Sequence, residues 1–104
     1  MVDNKDLYEK ALLLKGEISQ LDITIEECSE LVQAIIKYKR NEGLYEREVL
    51  KEKIAEELCD VKVMIEQMLV TLDVEEEFNK MYDKKINRLR KRLELTEQGK
   101  QLEE

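Results

Sequence analysis

Apolar residues recur every three or four positions along most of the chain, a spacing that places them on one face of a helix. The pattern predicts a short first helix that starts near Asp3 and Asn4 and ends or bends at Gly16. A capping-box pattern at Ser19 then predicts a second helix that runs to about Arg40. The first half of the chain is therefore expected to form two helices.

The second half of the chain predicts two further helices. From about Glu46 to Leu72 no glycine or proline interrupts the apolar repeat, which indicates a third helix on the order of 40 Å long. Asp73, with Glu76 three residues later, is the expected N-cap of a fourth helix. The apolar stripe of this helix extends to Leu93.

The composition supports an all-α fold. The chain has 104 residues, of which 41% are charged, and it contains no proline and three glycines. We expect one helical domain over residues 1–93 and a charged tail over residues 94–104. Because a single chain of this size buries only a modest core, we expect the four-helix bundle to be completed by dimerisation, as a homodimer or a homotetramer.

Charge and hydropathy exclude several classes of protein. A net charge of −7 disfavours a nucleic-acid binder, because such proteins neutralise phosphates with clustered basic residues. The longest apolar run, Ala11 to Leu14, is far shorter than the roughly 20 residues of a membrane span, so we expect a cytoplasmic protein. Cys28 and Cys59 lack a metal-binding spacing and are expected to be buried, reduced thiols.

Two pairs of acidic residues stand out from the other charges. Glu27 and Glu30 lie one turn apart on the second predicted helix, and Glu57 and Asp60 lie one turn apart on the third. Pairs with this spacing elsewhere in the chain are expected to be solvated or to cap helices. Glu27 and Glu57, however, fall inside the apolar arc of their helices, so packing of the two helices is expected to bring four carboxylates together.

Four carboxylates in a partly dry site repel one another unless a cation compensates their charge. The ligands are all oxygens and the chain has no histidine, which favours Mg²⁺, with Mn²⁺ as a substitute, over zinc. A bound magnesium ion in turn suggests a substrate that carries phosphate groups. The alternative is that the four acids form ion pairs with lysine or arginine side chains across the helices.

The fourth predicted helix is rich in basic residues. Lys85 and Arg88 lie one turn apart beside its apolar stripe, where they would suit the phosphates of a polyphosphate. The alternative interpretation is a solvated basic face that balances an acidic protein. Of the basic residues in this helix, Lys85 and Arg88 are the stronger candidates for function.

The chain resembles the MazG-like all-α nucleoside triphosphate pyrophosphohydrolases in three motifs and in their order: Glu27-x-x-Glu30, Glu57-x-x-Asp60 and Lys85-x-x-Arg88. The first two match the EExxE and ExxD signature of the family. The resemblance covers about Leu12 to Leu93. The pair of acidic motifs is fairly specific, whereas each motif alone is weak.

The resemblance implies a Mg²⁺-dependent enzyme that cleaves a nucleoside triphosphate into the monophosphate and pyrophosphate. Residues in this chain would then have these roles: metal binding by Glu27, Glu30, Glu57 and Asp60, phosphate binding by Lys53, Lys85 and Arg88, and nucleoside binding by Gln20 and Tyr38. Apart from the resemblance, Glu26 is a candidate to orient the attacking water by a hydrogen bond, and the alternative is a surface acid early in a helix. The chain lacks the tryptophan that relatives commonly have near the nucleoside, so no base preference is predicted.

Two alternatives remain at this point. The first alternative to an enzyme is a non-catalytic helical interaction module, such as a coiled-coil partner or an antitoxin-like regulator. The second is a metal-binding nucleotide sensor with the same fold and no turnover. The function of an interaction module would not explain why acids lie inside the apolar arcs of two helices. A sensor and an enzyme would have the same metal site, so the sequence does not distinguish between them.

Overall fold

The computed structural model describes residues 2–99, and every regular element in that range is an α-helix. The four helices are α1 (Lys5–Lys15), α2 (Glu17–Lys39), α3 (Arg47–Thr71) and α4 (Glu75–Glu97). The prediction of an all-α chain with four helices is confirmed. Within the same residues, none of the helices combines the length and apolar character that a bilayer crossing requires.

The chain divides into two compact units. The first ends at Asp73 and contains α1, α2 and α3, and the second begins at Val74 and contains α4. The acidic motifs therefore belong to the first unit, and the basic residues Lys85 and Arg88 belong to the second.

A single glycine separates α1 from α2. Gly16 has φ 84°, a left-handed conformation that costs other residues because of their Cβ atom, and its N–H donates to the carbonyl of Leu12 at 2.8 Å. The prediction that the first helix ends at Gly16 is confirmed. The predicted capping box at Ser19 is wrong, because Gly16 makes the break and α2 is already helical from Glu17 onward.

Packing of α2 against α3 forms the centre of the first unit, and α1 lies against both helices. Each helix contributes residues that are almost completely removed from solvent: Tyr8 from α1, Gln20 and Ala34 from α2, and Leu50, Glu57, Met64 and Leu69 from α3. Two of these residues, Gln20 and Glu57, are polar and each is only 2% exposed. The core is therefore small and includes a carboxylate.

Many large apolar side chains of the first unit remain exposed. They occur on all three helices and in the loop before α3: Leu7, Leu13, Leu14, Ile18, Ile25, Val32, Ile35, Ile36, Leu44, Val49, Leu58, Val63, Ile65 and Leu72. Leu13 and Leu44 are the most exposed, at 86% and 80%. So much exposed apolar surface is unusual for a soluble monomer and typical of a surface that another protein covers.

The fourth helix begins later and ends later than the sequence predicts. Asp73 is not its N-cap, because this residue has φ 54° and the cap position is occupied by Val74. The helix continues to Glu97, four residues beyond Leu93, so part of the predicted tail is helical. Residues 100–104 of that tail lie outside the described residues.

The two cysteines are free, as predicted, but they are not buried. Cys28 and Cys59 lie one residue after Glu27 and one before Asp60, respectively, about 100° around the helix from those acids. Because the acids face the neighbouring helix, the thiols point away from the packed face and into solvent.

A buried hydrogen bond ties α1 to α3. The hydroxyl of Tyr8 donates to Oε1 of Glu66 at 2.6 Å, and the Tyr8 side chain is 5% exposed. The hydrogen bond to Glu66, together with burial, raises the pKa of Tyr8 above its usual value. This contact holds the first helix, which has few other polar contacts, against the α2–α3 pair.

Tyr8→Phe should lower the free energy of unfolding by about 1–2 kcal/mol, because a hydrogen bond to a charged acceptor is lost from a buried site. Urea denaturation followed by circular dichroism measures the change. Tyr45→Phe is a matched control, because the Tyr45 side chain is exposed and its hydroxyl makes no hydrogen bond within the described residues. Equal stability of the Tyr8→Phe and Tyr45→Phe proteins would contradict this role for the Tyr8 contact.

Candidate metal centre

The two acidic motifs converge where α2 packs against α3. Glu27 and Glu30 come from α2, and Glu57 and Asp60 come from α3. Each residue offers one carboxylate oxygen, and these four oxygens all lie within 4.8 Å of one another. The structure therefore confirms that the two pairs come together, as their positions inside and beside the apolar arcs predict.

Burial makes this cluster different from a group of surface acids. Glu57 is 2% exposed, and the other three side chains are half-buried. Oε2 of Glu27 and Oε2 of Glu57 are both buried and have no hydrogen-bond partner. Most buried polar groups in proteins are hydrogen-bonded, so two unpartnered carboxylate oxygens in one cluster form a group that could hold a cation.

Lys53 is the one cation that contacts the cluster within the first unit. Its Nζ lies 2.9 Å from Oε1 of Glu57 and 3.9 Å from Oε1 of Glu56, both in the same helix. The alternative that the acids form ion pairs is therefore realised for one oxygen of one acid, and within α3 rather than across the helices. One half-exposed lysine does not neutralise four converging carboxylates.

The repulsion among these groups is visible in their pKa values. Burial raises the pKa of Glu27, and the charges of Glu30, Asp60 and Glu57 raise it further. Burial and the carboxylate of Glu57 likewise raise the pKa of Glu30, although Lys53 opposes this shift. The hydrogen bond to Glu57 raises the pKa of Lys53, which keeps the lysine charged.

The donor set fits a hard divalent cation. All four candidate ligands are carboxylates, the chain has no histidine, and the two cysteines are exposed. Two of the carboxylate oxygens are buried and unpartnered, so they are available as ligands without the loss of an existing hydrogen bond. The residues therefore suit Mg²⁺ or Mn²⁺ better than zinc.

An open cleft of about 400 Å³ begins at the acids and lies between α2 and α3. Glu30, Gln33, Ala34 and Lys37 line it from α2, and Lys53 and Glu57 line it from α3. Because late residues of α2 and early residues of α3 share its walls, the two helices run antiparallel and the cleft extends toward the loop 40–46 that joins them. Its size is in the range of sites for small ligands.

Gln33 and Lys37 are cleft residues that the sequence analysis does not select. They follow Glu30 by three and seven positions, a spacing that places all three on one face of α2. This spacing was available in the sequence. A lysine near the end of a helix, however, is ordinarily a solvated group that interacts with the helix dipole.

The structure places the predicted nucleoside contacts away from this cleft. Gln20 is buried, and its amide donates to the carbonyl of Ala11 at 3.4 Å. The hydroxyl of Tyr38 accepts a hydrogen bond from Nε of Arg47 at 2.8 Å, and its side chain borders a separate cavity with Lys39, Asn41 and Arg47. Neither residue lines the cleft beside the acids, and their role in binding a substrate stays a prediction.

The remaining predicted site residues are exposed. Glu26 precedes Glu27 on α2 and is not part of the four-carboxylate cluster, although its charge contributes to the raised pKa values of Glu27 and Glu30. Lys85 and Arg88 lie one turn apart on α4, and both are exposed. The roles of these three residues also stay predictions.

No protein-family model, curated protein or solved structure matches the chain. The resemblance to the MazG-like enzymes therefore stays a prediction from the motifs.

The raised pKa of Glu27 predicts a pH-dependent stability. A carboxyl group whose pKa is higher in the folded protein contributes stability below its unfolded pKa and loses it as the pH rises through the folded pKa. In buffer without divalent metal, Glu27→Gln should therefore stabilise the protein more at about pH 8 than at about pH 5. Urea denaturation of both proteins at each pH measures this difference.

Glu52→Gln is the control for that experiment, because Glu52 is an exposed carboxylate of α3 outside the cluster. Its effect on stability should be small and should differ little between the two pH values. A Glu27→Gln effect that is the same at both pH values would show that repulsion in the cluster does not affect folding.

Proposed function

We propose that this chain is a Mg²⁺-dependent hydrolase that cleaves nucleoside triphosphates into nucleoside monophosphates and pyrophosphate. The observation that carries the proposal is the convergence of Glu27, Glu30, Glu57 and Asp60, with two buried carboxylate oxygens that lack a partner. A cleft of about 400 Å³ with two lysines in its walls opens beside them. The order of the motifs, which resembles the MazG-like enzymes, gives the type of reaction.

The four acids would hold the metal ion. When bound, the ion lowers the pKa of a coordinated water and neutralises charge on the phosphates. In the proposed reaction a water oxygen bonds to the α-phosphorus, the bond from that phosphorus to the α–β bridging oxygen breaks, and pyrophosphate leaves with the electron pair of that bond. The proton that the water loses passes to solvent. Mn²⁺ is expected to replace Mg²⁺, because both accept carboxylate oxygens.

Two further side chains are assigned roles near the reacting groups. Lys53 donates to Glu57 at 2.9 Å and lines the cleft, and its ammonium group is proposed to bind a phosphate oxygen. Glu26 is one residue from the cluster and exposed to solvent, where it is proposed to orient the attacking water by a hydrogen bond. Lys85 and Arg88 are proposed to bind phosphates from α4.

The buried acids separate this proposal from a non-catalytic interaction module. A helical module that only binds a partner requires apolar stripes. Its function would not explain the cost of burying Glu57, which is 2% exposed, beside three other carboxylates. A nucleotide sensor would use the same metal site without turnover, so measurement of product separates a sensor from an enzyme.

Millimolar Mg²⁺ should raise the melting temperature by on the order of 5 °C, because an ion that binds only the folded state stabilises it. Pyrophosphate release from nucleoside triphosphates should require Mg²⁺, and Glu27→Gln or Asp60→Asn should lower its rate roughly 100-fold or more. A coupled pyrophosphatase assay with a panel of nucleotides measures turnover, and thermal unfolding measures binding. The effect of Glu27→Gln is the easiest to interpret, because this substitution breaks no ion pair.

Glu52→Gln removes one carboxylate from the exposed surface of α3 and should leave both the Mg²⁺ response and the turnover unchanged. A Mg²⁺ response without any product would support the sensor. If the wild-type protein shows neither, the metal centre and the enzyme are both excluded, and the interaction module remains.

We also propose that the chain works as a homodimer or as a dimer of dimers in the cytoplasm, because the apolar residues exposed on α1, α2 and α3 need a partner. Sedimentation velocity over a range of concentrations should show a dimer or tetramer. Val32→Glu with Ile36→Glu, which adds two charges to the exposed apolar face of α2, should shift the protein toward the monomer. A folded monomer at all concentrations would contradict the proposal.

A further inference from the structure

Lys37 lies at the end of the cleft that is farther from the four acids. It follows Glu30 by seven residues on α2, or about 10 Å along the helix axis, and both side chains line the same cleft. Lys53 lies between them on the opposite wall, one turn before Glu57. The cleft therefore has carboxylates at one end and two lysines along the remainder.

The side chain of Lys37 is held in position by the loop between α2 and α3. Its Nζ lies 4.2 Å from the centre of the Tyr45 ring, a cation–π contact. The backbone of Tyr45 is in turn fixed by Asn41, which donates from Nδ2 to the Tyr45 carbonyl at 3.0 Å and accepts from the Tyr45 N–H at 3.3 Å. Tyr45 thus has a defined place, and so does the ammonium group beside it.

Lys37 differs from Lys53 in its partners. Lys53 is paired with Glu57 and Glu56, whereas no carboxylate lies within ion-pair distance of Lys37 in the described part of the first unit. The ring of Tyr45 orients the ammonium group without neutralising it. A full positive charge therefore faces the cleft, where an anion would gain a charge-assisted hydrogen bond.

This distribution of charge fixes a direction along the cleft. A triphosphate bound to a metal at the acids would extend either its nucleoside or its two terminal phosphates past Lys53 and toward Lys37. The terminal phosphates carry most of the negative charge, and the walls beyond the acids carry two lysines. Electrostatic complementarity therefore favours the phosphates over the nucleoside at this end.

We propose that Lys37 binds the terminal phosphates of the substrate, so that the pyrophosphate end of the molecule points toward the loop between α2 and α3. This inference rests on the proposed function. It identifies a substrate-binding residue and the loop segment, Asn41 to Tyr45, that positions it. The nucleoside then lies on the other side of the acids.

The test measures binding of inorganic pyrophosphate to the full chain in the presence of Mg²⁺, by isothermal titration calorimetry. Lys37→Gln should weaken pyrophosphate binding roughly 10-fold or more, and Lys37→Arg, which retains a cation, should restore most of it. Binding of the adenosine, cytidine, guanosine and uridine monophosphates should change less than about 2-fold, because the monophosphate lies on the other side of the acids.

Lys39→Gln is the matched control, because this lysine lies two residues further along α2, removes the same charge and does not line the cleft. It should leave pyrophosphate binding unchanged. Circular dichroism and melting temperature show whether each variant remains folded, which is expected because Lys37 is exposed.

Three results would overturn the inference: no binding of pyrophosphate to the wild-type protein, the same pyrophosphate affinity in Lys37→Gln as in the wild type, or a loss of monophosphate affinity instead. Turnover is scored separately. Lys37-dependent pyrophosphate binding without hydrolysis would remove the proposed enzyme and keep the phosphate site, whereas hydrolysis with unchanged binding in Lys37→Gln would remove this inference alone.

Discussion

Electrostatic repulsion between α2 and α3 is the constraint on which the arrangement of the first unit depends. The two helices form its largest packing interface, yet each presents two carboxylates to the other, and the four oxygens lie within 4.8 Å. Apolar side chains on both helices and the Tyr8 contact from α1 hold the acids together against this repulsion. The favourable packing of α2 on α3 therefore offsets the repulsion among the four carboxylates. A positive charge beside them would reduce this repulsion.

This constraint also explains where the polar groups around the cluster lie. Lys53 occupies the position one turn before Glu57, where it neutralises one oxygen and leaves the other free. Glu30 and Glu57 line the cleft, so the cluster of acids borders it at one end.

The sequence predicts the helices and the acids of this site better than it predicts the helix boundaries and the exposure of the cysteines. The apolar repeat located all four helices. It also put Glu27 and Glu57 on the packed faces, because an acid between apolar residues on a helix is buried together with them. The caps at Ser19 and Asp73 were misassigned, since backbone conformation at Gly16 and Asp73 decides those boundaries and side-chain patterns only accompany it. The prediction that both thiols are buried is wrong. Cys28 and Cys59 are each one residue from an acid of the cluster, which puts them about 100° around the helix from the packed face.

Contacts between distant segments were beyond the reach of the sequence. The pairing of Tyr8 with Glu66 joins residues 58 positions apart, and Lys37 contacts the ring of Tyr45, whose backbone is hydrogen-bonded to the side chain of Asn41. Neither has a periodic signal. The cleft is likewise a property of two packed helices, because its lining combines residues of α2, such as the buried Ala34, with residues of α3.

The left-handed turn at Gly16 determines where α1 packs. Nothing lies within 4 Å of the place where a Cβ atom would sit, so an alanine is opposed there by the backbone conformation alone. Alanine also prefers the helix interior to glycine by about 1 kcal/mol, which would favour fusion of α1 and α2 into one continuous rod. Such a rod would carry Tyr8 away from its own Glu66 and offer it to the Glu66 of a neighbouring copy. The positive φ at Gly16 therefore turns the chain so that α1 packs against α2 and α3 of the same chain.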